Sequence, residues 1–234
     1  MHSLHMNTNS NTYTLIYAAV LVVIVASALA FVSESLKPVQ QSNIDTEKRL
    51  NILLSAQLGR DAAAAGDKNG YVAQLFQKYI THSYLVNKTG EVVDGDAFTN
   101  TQHQLPVFEC TLDNGSLIYV VEVHGQGLWG PIWGYLSFKD DLNTIYGAVF
   151  DHKGETPGLG AEIASQAYAK QFEGKTIFEN GAFVSVQVVK GGAKPNDRHA
   201  VDAVSGGTIT SKALESTLYE SLHQYLPFFT RKKQ

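Results

Sequence analysis

The stretch VFECTLDNGSLIYVVEV, Val107 to Val123, decides the class of fold. Two apolar runs, Val107 to Leu112 and Ser116 to Val123, flank Asp113-Asn114-Gly115. A short turn rich in Asn and Gly between apolar runs is a strong local signal for a β-hairpin. The same pattern recurs outward from it. Tyr135 to Phe138 and Thr144 to Phe150 read as strands around Lys139-Asp140-Asp141-Leu142-Asn143, and Thr176 to Phe178 pairs with Ala182 to Val189 across Glu179-Asn180-Gly181. Upstream, Ser83 to Val93 reads as a hairpin turning at Lys88-Thr89-Gly90. Helices are expected over Tyr71 to Ile80, Ala161 to Phe172 and Lys212 to Tyr225, the last with Leu214, Leu218, Leu222 and Tyr225 on one face. Adjacent hairpins with scattered helices predict an α+β fold, mostly antiparallel and hairpin-rich, with the helices at its periphery. No GxGxxG follows a strand, so a dinucleotide site of the doubly wound kind is not supported.

The N-terminal region belongs to a different environment. Tyr13 to Val32, YTLIYAAVLVVIVASALAFV, carries no charge. About 20 such residues match the hydrocarbon thickness of a bilayer as one helix, and Tyr13 and Tyr17 sit where amphipathic rings favour the interface. Ala28-Leu29-Ala30 resembles a signal-peptide cleavage site, but no basic segment precedes the run. The expected organisation is therefore a tail at 1–12, a single uncleaved transmembrane helix at 13–32, a linker helix at 33–60 and a domain at 61–234. Met6 is a second possible start. Lys37, Lys48 and Arg49 follow the span and no Lys or Arg precedes it, so the basic-residue count alone places the domain in the cytoplasm.

Composition narrows the chemistry. A net charge of −4 gives no electrostatic case for nucleic acid. Cys110 is the only cysteine, which excludes an intrachain disulfide and a cysteine-ligated iron–sulfur cluster within the chain. The eight histidines have no zinc-ligand spacing, and no metal site is expected.

Three stretches concentrate unusual residues. In Asp202-Ala203-Val204-Ser205-Gly206-Gly207-Thr208-Ile209-Thr210-Ser211, a glycine pair and four hydroxyls precede the C-terminal helix. Two readings are open: one of Ser205, Thr208 and Thr210 caps the helix, or the exposed N–H groups attract an anion such as phosphate. His124 to Gly134 holds both tryptophans, Trp129 and Trp133, among glycines; they either fold back on the core or line a cofactor or docking edge. Asp151 to Gly160 crowds three glycines and Pro157 beside Glu155 and Thr156. Glycines permit close approach to a flat ligand, Glu155 and Thr156 offer an acceptor and a donor, and Leu159 offers an apolar face.

The first of these stretches resembles Asp-x-x-Ser-Gly-Ala-Thr-x-Thr, the motif by which certain membrane redox subunits carry FMN covalently. Gly207 stands where that family most often has Ala. Taken with Gly-Leu-Trp-Gly-Pro-Ile-Trp-Gly from Gly127 and Glu-Thr-Pro-Gly-Leu-Gly from Glu155, in this order, nearly the whole chain is similar to the C subunits of bacterial sodium-translocating NADH:quinone oxidoreductases. The G subunits of Rnf complexes share the Glu-Thr-Pro-Gly-Leu-Gly and Ser-Gly-Ala-Thr type motifs but fit the tryptophan loop less well.

The resemblance implies one FMN per chain, its phosphate esterified to Thr210 by a flavin transferase. Glu155, Thr156, Gly158 and Leu159 would contact the flavin, with Ser205, Gly206, Gly207 and Thr208 around the attachment point. It implies an electron-relaying subunit, with no catalytic dyad of its own, in an inner-membrane complex that pumps sodium; the NADH and quinone sites would lie on the other subunits. It places the domain in the periplasm, against the basic-residue count. An Rnf-type electron-transport subunit and an anchored, non-redox ligand-binding or scaffold domain are the alternatives.

Overall fold

The structure is a computed structural model that describes residues 10–93, 95–98 and 104–232. The tail at 1–9, including Met6, lies outside the described residues. Helix α1, Asn11–Ser55, covers the uncharged run and most of the segment read as a linker helix at 33–60, stopping five residues short of its end. The chain divides into two units, one ending at Asp45 and one beginning at Thr46. In the first, the stretch of α1 at 13–32 carries no charge, and an 18-residue stretch of the helix has a mean hydropathy of 2.8 with none of it buried by protein. A helix of that kind is long and apolar enough to cross a membrane.

The second unit is organised around one antiparallel sheet. After α2, Lys68–Tyr79, come β1, Ile80–Val86; β2, Val92–Val93; β3, Leu105–Thr111; β4, Leu117–Gln126; β5, Pro131–Lys139; and β6, Ile145–His152. They form a six-stranded sheet in the order β2-β1-β3-β4-β5-β6, every pair antiparallel. The Asp113-Asn114-Gly115 turn closes as expected: the Gly115 N–H donates to the Leu112 carbonyl at 2.8 Å, and Thr111 stands opposite Leu117. The fold is α+β, with helices on both faces of the sheet.

Burial on both faces explains why β4 reads as an unbroken apolar run and not as an alternation. Tyr119, Val121 and Val123 pack with Leu218, Leu222 and Tyr225 of the C-terminal helix α4, Thr208–Arg231. Ile118 packs instead with Leu50 and Leu53 near the end of α1, and Val120 with Ile52. Each such side chain contributes about 1.5–3 kcal/mol when buried. Polar ties fix α4 over the sheet: Tyr225 Oη donates to the Pro106 carbonyl at 2.9 Å, and the His124 N–H donates to Ser221 Oγ at 3.2 Å.

Three segments differ from the sequence reading. The expected helix Ala161 to Phe172 is a 3-10 turn, Gly160–Ala164, followed by a short α3, Gln166–Lys170. Ser165 breaks it by adopting an extended conformation and accepting from the Tyr168 N–H as an N-cap. The expected strand Ala182 to Val189 is interrupted by Ser185, whose φ of 59° is incompatible with a strand. Its first part, β8, Ala182–Phe183, pairs with β7, Phe178–Glu179, while β9, Gln187–Val189, lies parallel to β10, Ala200–Asp202. Local patterning does not reveal a parallel pairing across ten intervening residues. Finally, α4 begins at Thr208, one turn before Lys212.

Helix α4 lies so close to β4 that a Cβ on Gly125 would come within 1.8 Å of Thr217 Oγ1. Gly125→Ala is therefore expected to lower the unfolding free energy by about 1–3 kcal/mol. Gly66→Ala, where the added atom meets nothing within 4 Å, is expected to stay within about 0.5 kcal/mol of wild type. Denaturant titration of the two variants measures both.

Candidate functional site

The three unusual stretches meet at one end of the sheet. In chain order, the first, His124 to Gly134, contracts to a tight hairpin tip, Gly127 to Gly130, in which the Gly127 N–H donates to the Gly130 carbonyl at 2.8 Å. Trp133 belongs to β5, whereas Leu128 and Trp129 project from the tip, 45% and 67% exposed. The second leaves β6 alongside this tip, the Lys153 N–H donating to the Pro131 carbonyl at 3.0 Å. It then turns through Gly158, with φ of 73°, into the 3-10 turn. The third joins β10 to α4 through Ser205-Gly206-Gly207.

Glu155 ties all three together. Its side chain is 4% exposed. Oε1 accepts from the Trp129 N–H of the hairpin tip at 2.9 Å, and Oε2 accepts from the Thr210 hydroxyl of α4 at 2.6 Å. The Glu155 N–H donates to His152 Nδ1 at 3.2 Å. Burial alone pushes a carboxyl pKa up. Here the Thr210 hydroxyl, the Trp129 and Leu128 N–H groups and the nearby His152 outweigh burial and hold Glu155 below its ordinary 4.5.

Two glycines make room for this arrangement. A Cβ on Gly160 would sit 2.4 Å from Thr210 Oγ1 and 2.5 Å from Glu155 Oε2, and one on Gly127 would sit 2.5 Å from Glu155 Oε1. The N-terminus of α4 carries no hydroxyl cap: its N-cap is Gly207, without a side-chain hydrogen bond. The capping reading of Ser205, Thr208 and Thr210 is thus not what forms. Ser211 bonds backward instead, Oγ accepting from the Val204 N–H at 3.0 Å. The N–H groups of Thr208, Ile209 and Thr210 lie in a first helical turn, where no intrahelical acceptor exists.

These elements enclose a cavity of about 450 Å³. Glu155, Thr156, Leu159, Gly206, Gly207, Thr208 and Thr210 line it, together with Leu128, Trp129, Gly160 and Ile209. Gly158 and Ser205 do not; Gly158 holds the loop's turn, and both are exposed. Of the lining residues the sequence reading left unassigned, Trp129 carried a signal in its glycine flanks. Ile209, 60% exposed between two threonines, carried a weaker one as a bare apolar residue on a polar helix start. A larger hollow of about 580 Å³ runs along β9 and α4, but it is lined by Lys190, Lys212, Glu215 and Glu220, and Lys212 and Glu215 pair at 2.8 Å. Among the described residues no group of three or more His, Cys, Asp or Glu is placed to hold a metal ion. Cys110 is buried, which pushes its thiol up to about 12.

Residues 127–223 match the FMN-binding domain family. That range begins at the hairpin tip and ends within α4, so it contains the whole cavity. The chain is 31% identical over 219 residues to the C subunit of the Na(+)-translocating NADH-quinone reductase of Vibrio anguillarum, covering 82% of this chain and 86% of that one. It is 28% identical to the C subunit of the Pseudomonas aeruginosa reductase, covering 91% and 92%. The crystal structure of the C subunit from Parabacteroides distasonis superposes with a TM-score of 0.74 at 42% identity, over 83% of this chain and 97% of that one. Shewanella oneidensis NqrC superposes at 0.68 with 28% identity, over 80% and 96%. The cavity's composition fits an FMN: an apolar rim from Leu128, Trp129, Leu159 and Ile209 suits a flat ring, and the unpaired N–H groups of a helix start suit a phosphate.

A carboxyl whose native pKa lies below its unfolded value stabilises the fold fully above the unfolded value and loses that contribution as pH falls through the native one. Glu155→Gln is therefore expected to be less stable than wild type at neutral pH. The gap should stay constant down to about pH 5 and narrow below 4.5, the ordinary value of the group. Thermal unfolding of both proteins across that range measures it.

Proposed function

The chain belongs to the family formed by the C subunits of Na(+)-translocating NADH-quinone reductases, and from that premise we propose that it relays single electrons through one FMN esterified to Thr210. The observation that carries this reading is the cavity joining the start of α4, the Glu155 loop and the Trp129 tip. FMN, when bound, supplies the redox chemistry; the chain's residues hold and tune it. Thr210 supplies the ester oxygen, and the N–H groups at the start of α4 face the phosphate, which retains one negative charge as a diester. Leu159 and Trp129 cover apolar ring surface, while Thr156, at the rim, hydrogen-bonds a polar edge. Gly158 acts through the shape of its loop, and Ser205, Gly206 and Gly207 through the turn that leads into α4.

A relay of this kind works within a complex, so the partners are the other subunits of a sodium-pumping NADH:quinone reductase, with NADH and quinone bound there. The helix at 13–32 anchors the chain in the inner membrane, with the domain at 61–234 in the periplasm, where a flavin transferase loads it. The same attachment chemistry is compatible with an Rnf-type subunit, but no feature of the site favours it.

Thr210→Ala is expected to yield a folded chain with no covalent flavin. Thr208→Ala, at an exposed position, should keep it. In-gel fluorescence and peptide mass spectrometry read both, and an adduct on Thr208 or Ser205 overturns the assignment. Leu159→Ala and Thr156→Val are expected to keep the flavin attached but to shift its absorption spectrum and midpoint potential; native values in both variants would remove the loop from the flavin site.

A further inference from the structure

We propose that Glu155 accepts the Thr210 proton when the flavin ester forms, and retains it afterwards as a carboxylic acid. This rests on the assignment of Thr210 as the attachment residue.

The geometry carries the first half. Thr210 Oγ1 lies 2.6 Å from Glu155 Oε2, and the two residues are only 2% and 4% exposed. Oε1 is occupied by the Trp129 N–H, so Oε2 faces the hydroxyl. The hydroxyl is therefore the donor, its proton already directed at the carboxylate. The glycine cradle at 127 and 160 keeps the carboxylate in this pose, since any side chain there would collide with it. Among the described residues Glu155 is the only titratable side chain lining the cavity. The hairpin tip contributes Leu128 and Trp129, and Lys212 of α4 lines the separate hollow along β9, where it pairs with Glu215. Glu162, from the 3-10 turn, accepts from the Gly158 N–H at 3.2 Å. Lys153 is exposed and absent from the cavity lining. His152 directs Nδ1 at the Glu155 backbone N–H.

The chemistry balances with a flavin phosphoanhydride as donor. The Thr210 Oγ1–P bond forms, the anhydride P–O bond breaks, the leaving phosphate departs as an anion, and the hydroxyl proton passes to Glu155 Oε2. The second half follows from what the product lacks. An ester oxygen has no proton to donate, so an ionised Glu155 Oε2 would face the Thr210 oxygen without a donor, beside a group that would carry the negative charge of the diester. Neighbouring like charges disfavour the ionised carboxyl. A protonated Oε2 turns the same contact into a hydrogen bond given by Glu155.

The test uses the full-length chain in membranes with its flavin transferase and flavin adenine dinucleotide, following covalent attachment by in-gel fluorescence across pH. Glu155→Gln should attach flavin at least about 10²-fold more slowly, because its amide donates to Thr210 Oγ1 and takes no proton. Glu155→Asp should recover part of the rate. Wild-type attachment should slow on acidification as the carboxylate titrates, a dependence the Gln variant should lack. Attachment in Glu155→Gln at the wild-type rate and with the wild-type pH profile overturns the proposal, provided Thr210→Ala remains blank; covalent flavin in Thr210→Ala overturns the attachment assignment itself. A second measurement needs no variant. Infrared spectra of wild type with and without attached flavin should show a carboxylic-acid carbonyl band gained on attachment at neutral pH. Its absence shows that Glu155 does not keep the proton and overturns the retained-acid half.

Discussion

A carboxylate buried with no Lys or Arg beside it must be surrounded by hydrogen-bond donors, or it will not stay both buried and charged. Glu155 is in that position, and its donors come from chain segments far apart in sequence: the Trp129 N–H on the β4–β5 tip and the Thr210 hydroxyl on α4. Hydrogen bonds to a charged group contribute about 1.5–3 kcal/mol each, and removing the acceptor would leave the Trp129 N–H and the Thr210 hydroxyl without this partner. The cavity's shape thus depends on one side chain. Gly127 and Gly160 are small because Glu155 and Thr210 fill the space a side chain would take.

A second buried carboxylate, Glu122 on β4, shows the contrasting solution. It is 7% exposed, accepts from Tyr135 Oη at 2.7 Å, and has His124 Nε2 at 3.0 Å and Lys48 Nζ at 4.0 Å. Burial raises its pKa, but His124 and Lys48 outweigh that, and the net shift is downward. The Tyr135 hydroxyl, His124 and Lys48 hold Glu122 in place as a fixed feature of the core. Glu155 accepts instead from a backbone N–H and from a hydroxyl that an ester would consume. Of the two, only Glu155 has an environment that chemistry at the site can change.

The sheet makes the site possible by its rigidity. Because β3, β4 and β5 are covered on both faces by the end of α1, α2 and α4, the hairpin tip and the start of α4 cannot drift apart without exposing core. The tight contact between Gly125 and Thr217 sits just before the tip on β4 and two turns into α4. Loops displayed from such a scaffold can remain open and exposed at their ends while their bases are immobile.

The sequence by itself determined the elements whose information is local. The Asp113-Asn114-Gly115 hairpin, the antiparallel α+β class and the apolar run at Tyr13 to Val32 follow from turn chemistry, residue period and length. The motif strings at Glu155 and Thr210 pointed to one ligand, through resemblance, with no indication that their side chains touch. Tertiary structure decided the rest. The parallel pairing of β9 with β10, the split of the helix after Gly160 at Ser165, and the start of α4 at Thr208 each depend on what packs nearby. The hydrogen bond between Glu155 and Thr210 spans 55 positions. No local period encodes such a distance; it exists because a sheet covered on both faces brings one end of β6 to one end of α4.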